Sequence, residues 1–251
     1  MIKILKTSII VFFFFTQNSF SEINKTDLIK VSWPFDGFFG KFDKASLQRG
    51  FQVYKEVCAS CHSMRHLSYR NLGEKGGPEF SKEEVKAIAS QFEVQDGPNQ
   101  EGEMFTRAAL PSDKFVKPYP NSNAARAANG GAYPPDMSVL VKARKGGSNY
   151  VYSVLMGYTD EIPSNITLEE GVYYNKYMIG NKIRMPKPIN DGSVEYTDGT
   201  TASEEQISKD VVAFLTWAAE PHLEARKRNG YKAIIYLFIL SILGCIIKKK
   251  I

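Results

Sequence analysis

Two cysteines and a histidine lie together in the stretch Cys58-Ala59-Ser60-Cys61-His62, which has the spacing of covalent haem attachment. Each thiol can add to one vinyl group of a porphyrin, and the two intervening residues let one turn of chain reach both vinyls. The imidazole of His62 then lies beside the ring, where a nitrogen can bind the iron. The pattern indicates a single c-type haem that cannot dissociate from the protein.

Two haem-free interpretations of the same cysteines stay open at this point. A C-x-x-C pair can form a redox disulfide, although thioredoxin-like proteins place it in a βαβ unit and His62 would then have no role. A zinc site could use Cys58, Cys61 and either His62 or His66. The only other cysteine is Cys245, so the sequence offers no second ligand pair downstream.

A methionine in a proline-rich loop is the candidate for a second axial ligand. Met185 lies in Ile183-Arg184-Met185-Pro186-Lys187-Pro188-Ile189, and loops rarely bury a methionine as core filler. A thioether ligand favours ferrous iron and raises the reduction potential. From the residues alone, Met137, Met156 and Met178 compete for this role, while Met64 lies too near the cysteine motif.

A helix must deliver the cysteine motif, and the residues before it predict one. Asp43 is a suitable N-cap. Leu47, Phe51, Tyr54 and Cys58 follow at spacings of four, three and four, which places them on one helical face. Upstream of this helix, residues 33–40 form an aromatic, glycine-interrupted segment that we expect to be an extended arm packed on the domain or on a partner.

Further elements follow from capping and turn signals. Ser81 and Glu84 form a capping box, which predicts a helix to about Phe92, and the acidic stretch 93–103 is predicted to be a loop and a candidate docking patch. Four more helices are predicted: a short one within 114–129, then 136–145, 148–158 and 203–220. Within 136–145, Leu140 and Arg144 share one face. The fold class is therefore predicted to be mainly α.

The first 21 residues predict a secretory signal peptide. Lys3 and Lys6 precede an apolar run over 9–15, which is too short to span a bilayer, and a Ser-Phe-Ser sequence ending at Ser21 suits cleavage there. We therefore expect residues 22–225 to form one exported domain.

The C-terminal end predicts one transmembrane helix. Residues 231–247 are apolar except for Lys232, and this length is at the low end of the roughly 17–25 residues that a spanning helix needs. Basic residues flank both ends, so a count of basic residues does not decide the orientation. The cleaved signal decides it, because it exports the domain that precedes the helix. We expect a single-pass protein of a bacterial inner membrane, with the domain in the periplasm and 226–251 as anchor and basic cytoplasmic tail.

The basic net charge of +5 belongs to the ends of the chain. Of the 32 basic residues, two lie in the signal and seven from Arg226 onward, so 22–225 hold 23 basic and 27 acidic residues. A mildly acidic domain suits a basic soluble partner and argues against nucleic acid. A solvated surface without a partner is equally consistent with this balance.

Several of these motifs, taken together and in order, resemble the cytochrome c1 family, the haem-bearing subunits of cytochrome bc1 complexes. The resemblance covers nearly all of the predicted mature chain. The stretches that carry it are 49–64, 93–105, 117–121, 124–129, 134–136 and 217–221.

The resemblance implies a role for each site residue. Cys58 and Cys61 would carry the thioethers of one haem c, and His62 and Met185 would be the axial ligands. Arg144 would meet a haem propionate. The other residues that the resemblance places in the haem pocket are Tyr133, Pro135, Leu140 and Tyr150. The charges beside the methionine, Arg184 and Lys187, depart from the family pattern and could change the solvent exposure and potential of the site.

The resemblance also implies a fold and a function. The expected fold is a cytochrome c-like helical haem domain with long loops plus one C-terminal transmembrane helix. The expected function is electron transfer within a quinol–cytochrome c reductase, from a Rieske iron–sulfur protein to a c-type cytochrome. Cytochrome b would be the membrane neighbour in a dimeric complex. A membrane-anchored c-type cytochrome of another respiratory complex is the alternative, followed by the haem-free thiol–disulfide or zinc protein.

Overall fold

The computed structural model describes residues 27–250, and within that range six α-helices are joined by long loops. They are α1 (Lys44–Val53), α2 (Lys82–Ala89), α3 (Ser122–Ala128), α4 (Gly147–Leu155), α5 (Glu204–Ala219) and α6 (Leu223–Lys250). Two small antiparallel pairs join β1 (Glu93–Asp96) to β2 (Phe105–Ala108) and β3 (Tyr173–Tyr174) to β4 (Lys182–Ile183). The mainly α prediction is confirmed. The predicted signal peptide, 1–21, lies outside the described residues.

Helix α1 begins where its cap predicts and ends in a wider turn. The Asp43 carboxylate accepts a hydrogen bond from the Ser46 N–H at 2.8 Å. After Val53 the chain continues as a π-helical turn, Tyr54–Cys58, in which the Ala59 N–H bonds to the Tyr54 carbonyl at 2.8 Å. Such turns insert one extra residue and are frequent at functional sites. Here the turn ends on Cys58, the first residue of the motif.

Helix α1 lies directly against α5, and this contact is the centre of the core. A Cβ atom on Gly50 would lie 2.1 Å from the Asp210 carbonyl oxygen, so the two backbones touch. The Phe51 and Tyr54 rings lie 5.7 and 5.9 Å from the Phe214 ring. Large aromatic side chains dominate such a core energetically. The cysteine motif is therefore attached to the best-packed part of the molecule.

Replacing Gly50 with alanine should destabilise the domain. The new methyl group cannot fit against the Asp210 carbonyl without moving α1 from α5, and overpacking of this kind costs about 1–3 kcal/mol. In a domain of this size Tm should fall by roughly 2–4 °C for each kcal/mol. Thermal unfolding measures the change. Gly230→Ala is the matched control, because nothing lies within 4 Å of a Cβ there, and an equal Tm for both variants would contradict the prediction.

The acidic stretch 93–103 was predicted to be a loop, and this prediction is wrong in part. Its first four residues form β1, which pairs with β2 in the register Glu93↔Ala108 and Asp96↔Phe105. Helix α2 correspondingly ends at Ala89 instead of continuing to Phe92. A hairpin forms because the turn between the strands brings two short extended segments together, and the paired strands then satisfy each other's backbone groups.

The predicted helix over 136–145 is also wrong, because the chain makes consecutive turns there. The Met137 N–H donates a hydrogen bond to the Ser63 carbonyl at 2.8 Å. The Ser138 hydroxyl accepts from the His66 N–H at 3.0 Å. These long-range bonds hold the segment against the residues that follow the cysteine motif. The predicted helices within 114–129, 148–158 and 203–220 are present as α3, α4 and α5.

Helix α6 is joined tightly to the rest of the protein. Only three residues separate it from α5, and one of them, Glu220, accepts from Arg226 at 2.7 Å and pairs with Lys142 at 2.6 Å. Within the described part of the chain, α6 is the one helix long and apolar enough to cross a membrane. It starts at Leu223, so it extends through the predicted boundary at 225 into the domain.

Candidate haem-binding site

His62 is held in the orientation that a metal ligand needs. Its side chain is only 9% exposed, and its Nδ1 lies 2.8 Å from the Pro135 carbonyl oxygen. This contact selects the tautomer in which Nδ1–H donates to the carbonyl and the Nε2 lone pair remains available. Burial lowers the pKa of His62 more than the bond to Pro135 raises it, so the imidazole is neutral near pH 7.

The two thiols of the motif are presented by the turn that carries His62. The Cys61 and His62 N–H groups both bond to the Cys58 carbonyl, at 3.1 and 2.9 Å. The thiols are free, and the described residues contain only two small antiparallel strand pairs, so the βαβ unit that surrounds a thioredoxin-like pair is not found there. Burial, together with the neighbouring Cys61, raises the pKa of Cys58 to about 12. The two thiols and the imidazole therefore lie together on one short segment.

The segment 119–136 lies beside this turn and contacts it near both of its ends. The Tyr119 hydroxyl lies 3.9 Å from the Cys61 sulfur, and the Asn129 amide donates to Tyr119 at 3.1 Å. Sequence reasoning gave neither residue a role. Both lie in stretches that carried the family resemblance, which was the one signal that could have found them.

Asp136 holds the C-terminal end of segment 119–136 next to the motif. Its carboxylate accepts from the Ser63 hydroxyl at 2.7 Å, the Arg65 N–H at 2.9 Å and the Ser138 N–H at 3.0 Å. Burial raises the pKa of Asp136, but hydrogen bonds from Ser138, Arg65 and Ser63 outweigh it, so the pKa is lowered and the group is charged. The preceding carbonyl, that of Pro135, is thereby kept opposite His62.

The loop that contains Met185 follows β4 and is held on three sides. The Tyr158 hydroxyl donates to the Met185 carbonyl at 2.9 Å. Arg184 donates to the Gly130 carbonyl at 3.3 Å, which joins this loop to segment 119–136. On the other side, Lys187 pairs with Glu204 at the start of α5 at 2.7 Å. The two charges that depart from the family pattern thus tether the loop.

The competing methionines have other surroundings. Met64 is fully buried in the core, and Met137 is also buried there. Met156 is partly buried and packs against the same core. The Met178 sulfur accepts from the Tyr150 hydroxyl at 3.5 Å. Met185 is half-buried in its tethered loop, and its role as the second ligand stays a prediction.

The remaining predicted pocket residues have the following surroundings. Tyr133 is exposed, and the Arg126 guanidinium lies 5.6 Å from its ring centroid. Leu140 is partly buried against the core. Arg144 is exposed and bonds to the Ala143 carbonyl at 3.3 Å. The structure brings Pro135 onto His62, while the pocket roles of Tyr133, Leu140, Tyr150 and Arg144 stay predictions.

This donor set fits a c-type haem. Two free thiols, an imidazole with an available nitrogen and a loop thioether are the groups that covalent attachment and His/Met ligation require. A zinc site fits less well, because over residues 27–250 no three His, Cys, Asp or Glu side chains are grouped closely enough to hold a metal ion.

Comparison with known proteins agrees with this chemistry. A statistical model of the Cytochrome C1 family matches residues 33–251. The chain is 55% identical over 210 residues to a mitochondrial "Cytochrome c1-2, heme protein" of Solanum tuberosum, covering 84% of this chain and 78% of the relative. It is 44% identical over 229 residues to "Cytochrome c1" of Rhodospirillum rubrum, covering 85% of this chain and 83% of the relative.

A longer relative shares the same region. The chain is 49% identical over 237 residues to "Cytochrome b/c1" of Bradyrhizobium diazoefficiens. That match covers 87% of this chain but only 34% of the relative, so the chain spans about a third of that protein. The family match, the high identities and the geometry around His62 lead to one conclusion: the chain belongs to the cytochrome c1 family.

Proposed function

We propose that this protein is the membrane-anchored haem subunit that carries electrons in a cytochrome bc1 complex. The observation that supports this most is the His62–Pro135 hydrogen bond at 2.8 Å, which leaves Nε2 available beside two free thiols. A carrier of this kind makes and breaks no substrate bonds. The protein holds the redox group, sets its potential and offers a docking surface.

Each site residue has a defined task in this proposal. Cys58 and Cys61 would hold haem c through thioether bonds, and His62 and Met185 would bind the iron. When bound, the haem supplies a one-electron ferric–ferrous couple. The Met185 thioether would favour the ferrous state and so raise the potential. Arg144 would compensate the charge of a propionate. Tyr133, Pro135, Leu140 and Tyr150 would line the pocket.

The partners follow from the place of such a subunit in the complex. Electrons arrive from a Rieske iron–sulfur protein and leave to a c-type cytochrome, for which the acidic stretch 93–103 is a candidate docking patch. Helix α6 packs beside cytochrome b in a dimeric complex. The name of the Bradyrhizobium relative joins the two cytochromes, which supports this pairing.

The proposed topology places the haem domain outside the cytoplasm. Residues 1–21 are a cleaved signal, 22–225 form the periplasmic domain, and 226–251 are the anchor and cytoplasmic tail of a bacterial inner-membrane protein. The apolar helix α6 supports the anchor. Export also suits a covalently held cofactor, because it cannot be lost once the protein has left the cytoplasm.

Purification from native membranes tests the proposal. A tagged chain should co-purify with b-type haems, and the c-type haem of the preparation should be reduced by a quinol and reoxidised by a soluble c-type cytochrome. Recovery of the c-type haem without b-type haems, and without reduction by quinol, would instead favour a cytochrome of another respiratory complex.

Removing the Tyr158 hydroxyl should loosen the methionine ligand. Burial raises the pKa of Tyr158, so its hydroxyl stays protonated and donates to the Met185 carbonyl. Loss of this bond costs about 0.5–1.5 kcal/mol. If this free energy acts on iron ligation by Met185, Tyr158→Phe should raise the fraction of molecules whose sixth iron position is open roughly two- to tenfold. Carbon monoxide binding to the ferrous protein measures that fraction.

The control for this experiment is Tyr236→Phe, which removes an exposed hydroxyl on α6. It should leave carbon monoxide binding unchanged. Equal binding by Tyr158→Phe and the parent protein would show that the tether does not control ligation.

A further inference from the structure

Three aromatic rings form an exposed cluster where α6 leaves the domain. Phe38 and Phe39 of the arm lie 5.0 Å apart, and both pack against Tyr231, at 5.9 and 6.2 Å between ring centroids. Phe39 is 79% exposed, and the other two rings are also exposed. Neither the core nor the haem site uses these rings. We call Phe38, Phe39 and Tyr231 the aromatic cluster.

Polar contacts hold the arm in this position. The Lys227 ammonium donates to the Phe35 carbonyl at 2.7 Å and to the Gly40 carbonyl at 3.2 Å. The Phe42 N–H donates to the Glu224 carboxylate at 2.9 Å. The chain is thus tied to the helix on both sides of the two phenylalanines. Their exposed position is fixed by the backbone around them and not by burial of their own surface.

The arm and the helix meet along one helical face. Glu224, Lys227 and Tyr231 are spaced three and four residues apart, and side chains at these spacings share a face. Gly37 between the anchored ends has a φ of +69°, a conformation that favours glycine and lets the arm turn back toward the helix.

The aromatic cluster lies at the level where α6 changes from charged to apolar. Arg226, Lys227 and Arg228 precede it by one turn, and Tyr231 opens the apolar run that extends to Ile247. The apolar side chains of that run are exposed in the chain itself. Aromatic rings next to basic side chains, above an apolar helix, are the composition of a membrane–water interface. Arg226 already pairs with Glu220 and Lys227 with the arm, so the exposed Arg228 is the basic residue of this turn that can pair with a lipid phosphate.

We propose that Phe38 and Phe39 insert into the headgroup–acyl boundary of the phospholipid bilayer and form a second membrane contact beside α6. The proposal rests on the proposed function in one respect, that α6 spans the bilayer. Lipid is the partner because the rings continue the exposed apolar surface of the helix at the level of its basic residues. The domain would then touch the membrane at two places, through the helix and through the arm.

Cysteine accessibility in a bilayer tests this contact. Single variants Phe39→Cys, Phe105→Cys and Tyr236→Cys are made in full-length, haem-loaded protein that carries Cys245→Ser, with Cys58 and Cys61 occupied by haem. Each variant is placed in bilayer discs of phosphatidylcholine and phosphatidylglycerol with no other subunit. A charged maleimide that stays in water then alkylates the thiol, and the rate is followed.

Position 39 should react several-fold more slowly than position 105. In the protein alone the order of exposure is the reverse, since Phe39 is 79% exposed and Phe105 on β2 is 43% exposed. Slow reaction at 39 therefore requires cover by lipid. Position 236, within the apolar run, should be protected as well.

Three results would overturn the proposal and are distinguishable. If position 39 reacts as fast as 105 while 236 is protected, the helix spans but the arm does not insert. If 236 also reacts fast, the membrane anchor itself is wrong. If 39 is protected only in the complex assembled with its other subunits, a protein covers the arm and lipid does not.

Discussion

Replacing Met185 with leucine should lower the reduction potential by on the order of a few hundred millivolts, within the span of about 0.8 V that axial ligation covers. Leucine has a similar volume but no sulfur, so the iron loses the ligand that favours its ferrous state. The haem should stay attached, because Cys58 and Cys61 are untouched. A redox titration followed by visible absorption measures the potential, and loss of the methionine-to-iron charge-transfer band reports the ligand directly.

Met178→Leu is the matched control, because Met178 is also half-buried and its sulfur already accepts a hydrogen bond from Tyr150. Its potential should stay close to that of the parent protein. The reverse pattern, an unchanged potential for Met185→Leu and a large drop for Met178→Leu, would transfer the ligand role to Met178.

Replacing both Cys58 and Cys61 with alanine should abolish covalent haem. No thioether can form without the sulfurs, and boiling in detergent then removes any haem held by ligation alone. A denaturing gel stained for haem peroxidase activity should show no band for the double variant. A pyridine haemochrome spectrum of the parent band should show the c type. The haem-free alternatives predict no stain in either protein.

Cys245→Ala is the control for the double variant, since it removes the third cysteine, on α6, and should keep the stain. The parent band should run at about 26 kDa, which is 28.2 kDa less a signal of roughly twenty residues. A band near the full mass would mean that the signal is not removed. Haem retained by the double variant would contradict attachment through this motif.

The parts of the fold that the sequence predicted correctly depend on neighbours a few residues away. Asp43 caps α1 through Ser46, and the Ser81–Glu84 capping box starts α2 as expected. The start of α5 follows the same rule, with Ser203 as its cap. Caps and apolar spacing are local signals, so one chain without its fold is enough to identify them.

The parts that were missed depend on residues far apart in the chain. Asp136 bonds to Ser63 and Arg65, more than 70 residues earlier, and local spacing predicted a helix where the chain instead packs against these residues. The contact between His62 and the Pro135 carbonyl is of the same kind. Spacing predicted His62 as a ligand, but only the fold shows that Nε2 is the nitrogen left available for this role.

The short connection between α5 and α6 restricts movement of the domain relative to α6. Hinges need a few residues that are free to change their backbone angles. Here three residues connect the helices, and the salt bridges of Glu220 together with the Lys227 and Glu224 contacts to the arm hold both sides. Anchored by α6, the domain would keep one height and one tilt. On the proposed function, the haem domain would then be immobile relative to the membrane, and its redox partners would have to move toward it.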